Sequence, residues 1–321
     1  MRRWLGVVFV AALLVGACGS DDPRDAPVVT DAPAPEDTSM RDDDPALGDA
    51  SAMLVADGDR IVRIDGGATE TVAHLAGIAA VAYGAGTGLI AAEVDGALVV
   101  VGDDGPAAVD AGQEGIVHLY DVAAVDGVAH ALYGVRRDVD GEEPSGIIVL
   151  ASLAGGERRD LAAGFAPEFH TAAGSLAGDV VVLSAFSDLT ESVWWVTLDG
   201  GDPPAWSPTD DLEYNAPPLV MSAVLSPDAS TVAWLSGPDW DGATGATVGG
   251  WEVVVADLTG RERHRLPIDG ADGEPIRIDY DGERVLVSRR AGEERAPALV
   301  IDLASGSTAA LPVAGTATFD R

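Results

Sequence analysis

Two stretches indicate the fold of this chain most clearly: SAVLSPDASTVAWLSG (residues 222–237) and WEVVVADLTGRERHRLP (residues 251–267). Short apolar runs alternate here with turns built from Ser, Pro, Asp and Gly, which is the pattern of β-strands joined by tight turns. Neither segment shows the 3.6-residue periodicity of an amphipathic helix. The two segments together therefore predict one unit of four consecutive strands.

A strand that runs into a small turn recurs along the whole chain from residue 51. The copies lie about 40 to 60 residues apart, which is the length of a four-stranded propeller blade with variable loops. They are VRIDGG (62–67), VVVGDDG (99–105), VLASLAGG (149–156), WVTLDGG (195–201), VVADLTG (254–260) and VIDLASG (300–306). Six such turns predict an all-β fold, a six-bladed β-propeller over residues 51–321.

The unit at 222–267 resembles the propeller repeat of TolB-type and related WD40-like proteins. In that repeat a Ser-Pro-Asp turn precedes an apolar strand, and an Asp-Leu-x-Gly turn precedes the outer strand. The matching residues are Ser226, Pro227, Asp228, Asp257, Leu258 and Gly260, and a weaker copy follows at 276–288 and 299–312. The resemblance implies the propeller fold, and it implies a place in an envelope complex, although TolB proteins are usually soluble in the periplasm.

The two ends of the propeller region complement each other. The first unit offers only three strand candidates, AMLVAD (52–57), RIVRID (60–65) and TETVAH (69–74), while GTATFDR (315–321) stands alone at the other end. A propeller removes its open edges by closing the ring. We therefore predict that the C-terminal strand completes the first blade as its innermost strand.

The N-terminus has the pattern of an export signal. Arg2 and Arg3 precede an apolar run from Trp4 to Ala17, which is shorter than the roughly 20 residues that span a bilayer. The run ends in Val-Gly-Ala-Cys, which resembles the bacterial lipobox. We predict a lipoprotein signal peptide at 1–17 and a lipid anchor on Cys18, at the extracytoplasmic face of a bacterial membrane. The alternative is an ordinary signal peptide with a chance cysteine.

Residues 18–50 contain many Asp, Pro, Ala and Thr residues and few large apolar ones, so we predict a lipidated cysteine followed by a disordered acidic tether. Cys18 is the only cysteine, which leaves the mature fold without a thiol for a disulfide or a zinc site. The net charge of -34 argues against nucleic acid and against acidic partners. We expect no cofactor and no metal.

The predicted loops suggest where a ligand would bind. In a propeller, the second-to-third strand loops and the blade-to-blade connections share one face, and the long ones here are 136–146, 237–250 and 202–218. Aromatic residues among acids can stack on a sugar or anchor a protein. The predicted ligand- or partner-binding residues are Trp206, Tyr214, Asp239, Trp240 and Asp241. The alternative is that these aromatic residues cap the core, as Trp195 and Trp234 are predicted to do from within strands.

Two other patterns have both a functional and a structural interpretation. Asp-x-Asp-Gly occurs at 138–141, 239–242 and 279–282, where it suits calcium or an ordinary tight turn, but a complete EF-hand loop is missing. The alternating arginines of 261–265 fit a charged edge strand or a contact with phosphate or an acidic partner. In both cases the sequence favours the structural interpretation.

No linear catalytic motif is present, so we predict a monomeric, non-catalytic module that binds an envelope protein or a glycan. Such a chain would touch the membrane only through its lipid. The alternative is a carbohydrate-active hydrolase or lyase that uses paired carboxylates on the loop face. In that case Asp210, Asp211 or Glu213 would face Asp239 or Asp241 across about 5 to 10 Å.

Overall fold

A computed structural model describes residues 52–320, except 85–86, 103–104, 110–114, 138–144, 156, 163–170, 188–189, 210–219, 242–245 and 269–272. The predicted signal peptide, Cys18 and the tether through residue 50 lie outside the described residues and stay predictions. Within the described residues the regular structure is entirely β-strand. The same residues contain no helix that is long and apolar enough to cross a membrane.

The strands are short and follow one another through tight turns. Their bounds are β1 (Met53–Asp57), β2 (Arg60–Asp65), β3 (Ala68–His74), β4 (Ile78–Gly84), β5 (Leu89–Val94), β6 (Ala97–Gly102), β7 (Gly105–Ala108), β8 (Ile116–Val125), β9 (Val128–Arg137), β10 (Ser145–Ser152), β11 (Arg158–Ala162), β12 (Thr171–Ala177), β13 (Val180–Ser187), β14 (Thr190–Thr197), β15 (Val220–Leu225), β16 (Thr231–Ser236), β17 (Asp239–Asp241), β18 (Ala246–Val248), β19 (Glu252–Asp257), β20 (Glu262–Pro267), β21 (Glu274–Tyr280), β22 (Arg284–Ala291), β23 (Glu294–Asp302), β24 (Thr308–Ala314) and β25 (Thr316–Phe319).

These strands form the six antiparallel blades that the repeated turns predict. From the innermost strand outward, the blades are β25-β1-β2-β3, β4-β5-β6-β7, β8-β9-β10-β11, β12-β13-β14, β15-β16-β19-β20 and β21-β22-β23-β24, numbered one to six. Blade four has three described strands, and β17-β18 form a separate hairpin. Each of the six repeated turns lies at the end of the third strand of a blade.

Closure of the ring by the C-terminal strand is confirmed. Strand β25 pairs with β1, and Met53 lies opposite Phe319 in the register. The inner strands β25, β4, β8, β12, β15 and β21 each contact the next one around the ring, and β21 returns to β25. The fold is therefore a closed six-bladed β-propeller around a central channel.

The apolar core is divided into six clusters, one between each pair of neighbouring blades. Trp234 on β16 is 7% exposed and belongs to the cluster between blades four and five, against which Trp195 also packs. Phe319 is fully buried between blades six and one. Each blade is thus held by its neighbours.

A polar belt near the channel supplements this packing. Each inner strand is an edge strand whose free N–H or C=O groups need partners. At every junction a side chain of one blade bonds the backbone of the next. The acceptor and donor pairs are Ala79 O with Thr316 Oγ1 (3.1 Å), Glu93 Oε2 with Leu119 N (3.0 Å), Asp121 Oδ2 with Leu176 N (2.8 Å), Ser175 Oγ with Leu225 N (3.1 Å), Ser222 Oγ with Ile278 N (2.9 Å) and Asp279 Oδ2 with Phe319 N (2.7 Å).

The strand order defines two faces of the ring. We call the face with the first-to-second and third-to-fourth strand turns the turn face. The loop face is the opposite one, with the second-to-third strand loops and the blade-to-blade connections. The positions of candidate functional residues follow from this distinction.

Candidate functional site

The hairpin β17-β18 lies in the connection between β16 and β19, on the loop face of blade five. The strand β17 consists of the predicted residues Asp239, Trp240 and Asp241, and Trp240 lies opposite Thr247 in the register. The structure describes their backbone only. Three of the five predicted binding residues therefore lie on a hairpin outside the four-stranded sheet of the blade.

Trp206 is packed against blade five instead. Its ring centroid lies 5.9 Å from that of Trp234 at an angle of 54°, and its carbonyl accepts a hydrogen bond from Trp195 Nε1 at 2.7 Å. A Cβ added to Gly260, whose φ is +86°, would lie 2.7 Å from the Trp206 ring. The ring thus covers the turn between β19 and β20, and a glycine there leaves it room.

The structure does not bring Trp206 and Trp240 together. The turn at Gly260 belongs to the turn face and β17 to the loop face, so the six residues of β19, about 20 Å of strand, lie between them. Tyr214 lies outside the described residues, and so do Asp210, Asp211 and Glu213, which the enzymatic alternative needs. The position of Trp206 matches the alternative in which an aromatic residue caps the core.

The described residues show a second feature of the loop-face side, an arginine that crosses the central channel. Arg277 on β21 of blade six donates hydrogen bonds to the carbonyls of Leu119, at 3.1 Å, and of Tyr120. Both acceptors belong to β8 of blade three, which is opposite blade six in a ring of six. A guanidinium group therefore lies inside the channel and joins its two sides.

A second arginine of blade six lies over the mouth of the channel. Arg295, at the loop-face end of β23, is 3.5 Å from the carbonyl oxygen of Ala79 on β4 of blade two. Burial lowers the pKa of Arg295, and repulsion by Arg290 and Arg277 lowers it further. Three positive side chains thus lie near enough to repel one another in a chain whose net charge is -34.

Among the residues that the structure describes, one carboxylate faces these arginines. Glu93 on β5 is 8% exposed and partly offsets the repulsion at Arg295. Its Oε2 accepts the N–H of Leu119, and its Oε1 lies 3.3 Å from Nδ1 of His118. We call Arg277, Arg290, Arg295 and Glu93 the channel cluster. Burial and the charge of Glu93 raise the pKa of the neighbouring Tyr120, which keeps that phenol neutral.

Neither Arg277 nor Arg295 forms an ion pair with a carboxylate of the described residues. Their hydrogen-bond acceptors are backbone carbonyls, which carry no net charge. Arg290 lies 3.5 Å from Glu274, but both side chains are exposed, and such pairs contribute little. The channel cluster therefore has an excess of positive charge.

The arginines of 261–265 show the opposite arrangement. Strand β20 is the outer edge of blade five, as the sequence predicts, and its side chains are mostly exposed. Arg263 pairs with Asp257 at 3.0 Å, and Arg265 pairs with Glu252 at 2.8 Å and Glu262 at 2.7 Å. We call these three contacts the β20 pairs. They neutralise both arginines within one blade.

A polar cavity of about 410 Å³ lies on the turn face between blades five and six. Its polar groups bond one another: Thr231 Oγ1 is 2.9 Å from the Tyr280 hydroxyl, and Asp281 accepts the N–H groups of Glu283 and Arg284. Asp281 thus accepts hydrogen bonds from the backbone of a tight turn, while Asp279 accepts one from the N–H of Phe319. The Asp-x-Asp-Gly pattern at 279–282 is a structural turn.

In the part of the chain that the structure describes, no group of three or more His, Cys, Asp and Glu side chains is arranged for a metal ion. Arg277 and Arg295 were not among the predicted site residues. Five of the 19 arginines lie between residues 277 and 295, and this clustering within an acidic chain is the signal that could have identified them.

Comparison with one solved structure supports the fold. The chain matches the crystal structure of TolB from Acinetobacter baumannii with a TM-score of 0.56 and 13% identity, over 84% of this chain and 66% of that one. It also matches apo AztD from Citrobacter koseri (TM-score 0.39, 13% identity, 84% of this chain and 88% of that one). A third match is a puromycin-hydrolyzing peptidase of Mycobacterium tuberculosis (TM-score 0.48, 16% identity, 83% and 44%).

No protein-family model matches the chain, and no curated protein does either. This chain spans just under two thirds of the TolB chain. At 13% identity the likeness to TolB concerns the fold alone. The class that fold and comparisons define is therefore a TolB-like six-bladed β-propeller.

Proposed function

We propose that this chain is an exported, lipid-anchored binding module of the bacterial cell envelope that holds a protein or a glycan on its loop face and catalyses no reaction. The observation that carries the proposal is the hairpin β17-β18. It forms a separate sheet on the loop face of blade five and includes Trp240 between two aspartates. A large aromatic residue among acids suits a protein hot spot or the face of a sugar ring.

Trp206 does not belong to the proposed contact surface. Its ring packs on Trp234 and over Gly260, so its replacement would test packing rather than binding. The informative substitution is Trp240→Ala. Tyr214→Ala, which changes the other predicted aromatic residue, is its companion.

Site-specific photocrosslinking in the native envelope tests the proposal. A photoreactive phenylalanine analogue at position 240 should give a protein adduct, whereas the same group at Arg263, on the outer edge of blade five, should give none. If the ligand is a glycan, envelope polysaccharide should instead bind the parent chain and be lost in Trp240→Ala. Absence of a protein adduct from position 240, together with polysaccharide binding that is unchanged in Trp240→Ala, would contradict the proposal.

The anchor is tested separately at Cys18. The parent chain should sediment with membranes and incorporate a labelled fatty acid, and Cys18→Ala should do neither. A Cys18→Ala chain that still incorporates the label would contradict the lipobox interpretation. Release of new reducing ends from envelope polysaccharide by the parent chain would favour the hydrolase alternative.

A further inference from the structure

We propose that the loop-face mouth of the central channel binds a small anionic ligand, whose carboxylate or phosphate group is held between Arg277 and Arg295. This inference goes beyond the proposed loop-face contact and does not depend on the hairpin β17-β18. It rests on the channel cluster alone.

Two arginines of blade six extend to two other blades. Arg277 and Arg295 belong to different strands of blade six, yet one reaches blade three and the other reaches blade two. The two guanidinium groups are near enough to repel each other, which places both on the loop-face side of the channel. Each guanidinium group presents a planar fork of N–H donors, which fits a carboxylate or a phosphate.

Both arginines have N–H donors to spare. A guanidinium group has five N–H donors. Arg295 uses one of them within the described residues, at the long distance of 3.5 Å, and Arg277 bonds two backbone carbonyls. The remaining donors can reach a ligand that enters from the loop face, because Arg295 is only partly buried there.

The electrostatics of the channel cluster also favour an anion. Arg290 and Arg277 repel Arg295, and this repulsion, together with burial, lowers its pKa. The one facing carboxylate, Glu93, is already engaged by the Leu119 N–H and by His118. An anion between the arginines would relieve the repulsion that the protein's own side chains leave.

The acidity of the whole chain restricts the size of the ligand. Exposed charges farther away than about 10 Å are largely screened at 0.1 M salt, so the nearby arginines dominate the field at the mouth. An extended polyanion would instead meet the acidic surface of a chain with a net charge of -34. The site therefore suits a small anion and not a nucleic acid.

The test uses the full chain in detergent, titrated by calorimetry with inorganic phosphate and, separately, with citrate at constant ionic strength. We expect saturable binding of one of the two probes, and the probe that binds identifies the group as phosphate or carboxylate. Arg277→Gln and Arg295→Gln should each weaken that binding by about tenfold or more. Arg263→Gln is the matched control, because it removes the same charge from β20.

Arg295→Gln keeps the test decisive, because Arg295 has a single weak contact whose loss should leave the fold intact. Circular dichroism would verify that this variant is folded. Binding that is unchanged in a folded Arg295→Gln chain would overturn the proposal. An equal loss in Arg263→Gln would also overturn it, because the effect would then reflect total charge. No saturable binding of phosphate or citrate by the parent chain is the third contradicting result.

Discussion

Two groups of arginines in neighbouring blades have opposite environments. In the β20 pairs, Arg263 and Arg265 lie on an exposed outer edge and each contacts a carboxylate within its own blade. In the channel cluster, Arg277 bonds carbonyls of blade three across the channel, and Arg295 contacts a carbonyl of blade two. The sequence draws attention to the first group because its arginines alternate along one strand.

The difference shows that arginines are available to a ligand when no carboxylate neutralises them, whether or not they cluster along the sequence. Exposed ion pairs contribute little to stability and keep a charged edge soluble. An arginine whose hydrogen-bond acceptors are neutral carbonyls keeps its positive charge available to an anionic ligand. Four substitutions test this comparison between the two arginine groups.

Opening the ring should have the largest effect. Phe319→Ala removes a fully buried side chain of the closing strand and should lower the free energy of unfolding by about 3 to 5 kcal/mol. The channel cluster depends on closure of the ring, because Arg295 and Thr316, which belongs to the closing strand, both contact the carbonyl of Ala79. The β20 pairs do not depend on closure. Denaturant unfolding measures the loss, with the exposed Val72→Ala on β3 as a control within about 0.5 kcal/mol. Equal losses would contradict closure by β25.

The next largest effect should come from the arginine that crosses the channel. Arg277→Gln removes charged hydrogen bonds to two partly buried carbonyls and should destabilise the fold by about 1 to 3 kcal/mol. Arg263→Gln breaks an exposed ion pair and should stay within about 0.5 kcal/mol of the parent. Chemical denaturation of both variants makes the comparison. If Arg263→Gln proved the more costly change, the contrast between the two groups would be wrong.

Arg295→Gln should act in the opposite direction. The lowered pKa of Arg295 means that the folded state disfavours its charged form, so neutralising this residue relieves repulsion at neutral pH. We expect Tm to rise by about 1 to 3 °C in phosphate-free buffer. The same substitution should weaken anion binding, so stability and binding would change in opposite senses. A clear fall in Tm would show that Arg295 is a structural residue.

The smallest effect should appear in acid at the β20 pairs. The Thr259 hydroxyl, followed by the N–H groups of Arg261 and Thr259 and by Arg263, lowers the pKa of Asp257 to about 2. This carboxylate is therefore expected to stabilise the fold above its ordinary pKa of about 3.8 and to lose that contribution as the pH falls towards 2. Tm measured from pH 5 to pH 2 should fall less steeply in Asp257→Asn. Parallel curves would contradict the assignment.

The sequence predicted the fold because the strands and turns of a propeller blade follow patterns that are local in the sequence. The turn after each third strand recurs six times, and the missing strand of blade one is the spare strand at 315–321. The turns are local patterns, and the spare strand was recognised by counting strands, although its pairing joins Met53 to Phe319 across the whole propeller region. The resemblance of 222–267 to a TolB-type repeat corresponds to blade five, whose strands and turns follow that pattern.

The candidate site was less predictable because it depends on distances across the ring. Arg277 and the carbonyl of Tyr120 are 157 positions apart, and Arg295 and Ala79 are 216 apart. No local pattern specifies such contacts. Trp206 likewise lies in a connecting segment by sequence, and its packing depends on the space that Gly260 leaves on another blade.

The most direct test of the contrast between the two arginine groups is anomalous diffraction from crystals of the full chain soaked in selenate, an anion that scatters anomalously and has the shape of phosphate. We predict a selenium peak at the loop-face mouth of the channel, within hydrogen-bonding distance of Arg277 and Arg295, and no peak at the β20 pairs. A peak at Arg263 or Arg265 with an empty channel mouth would contradict the account.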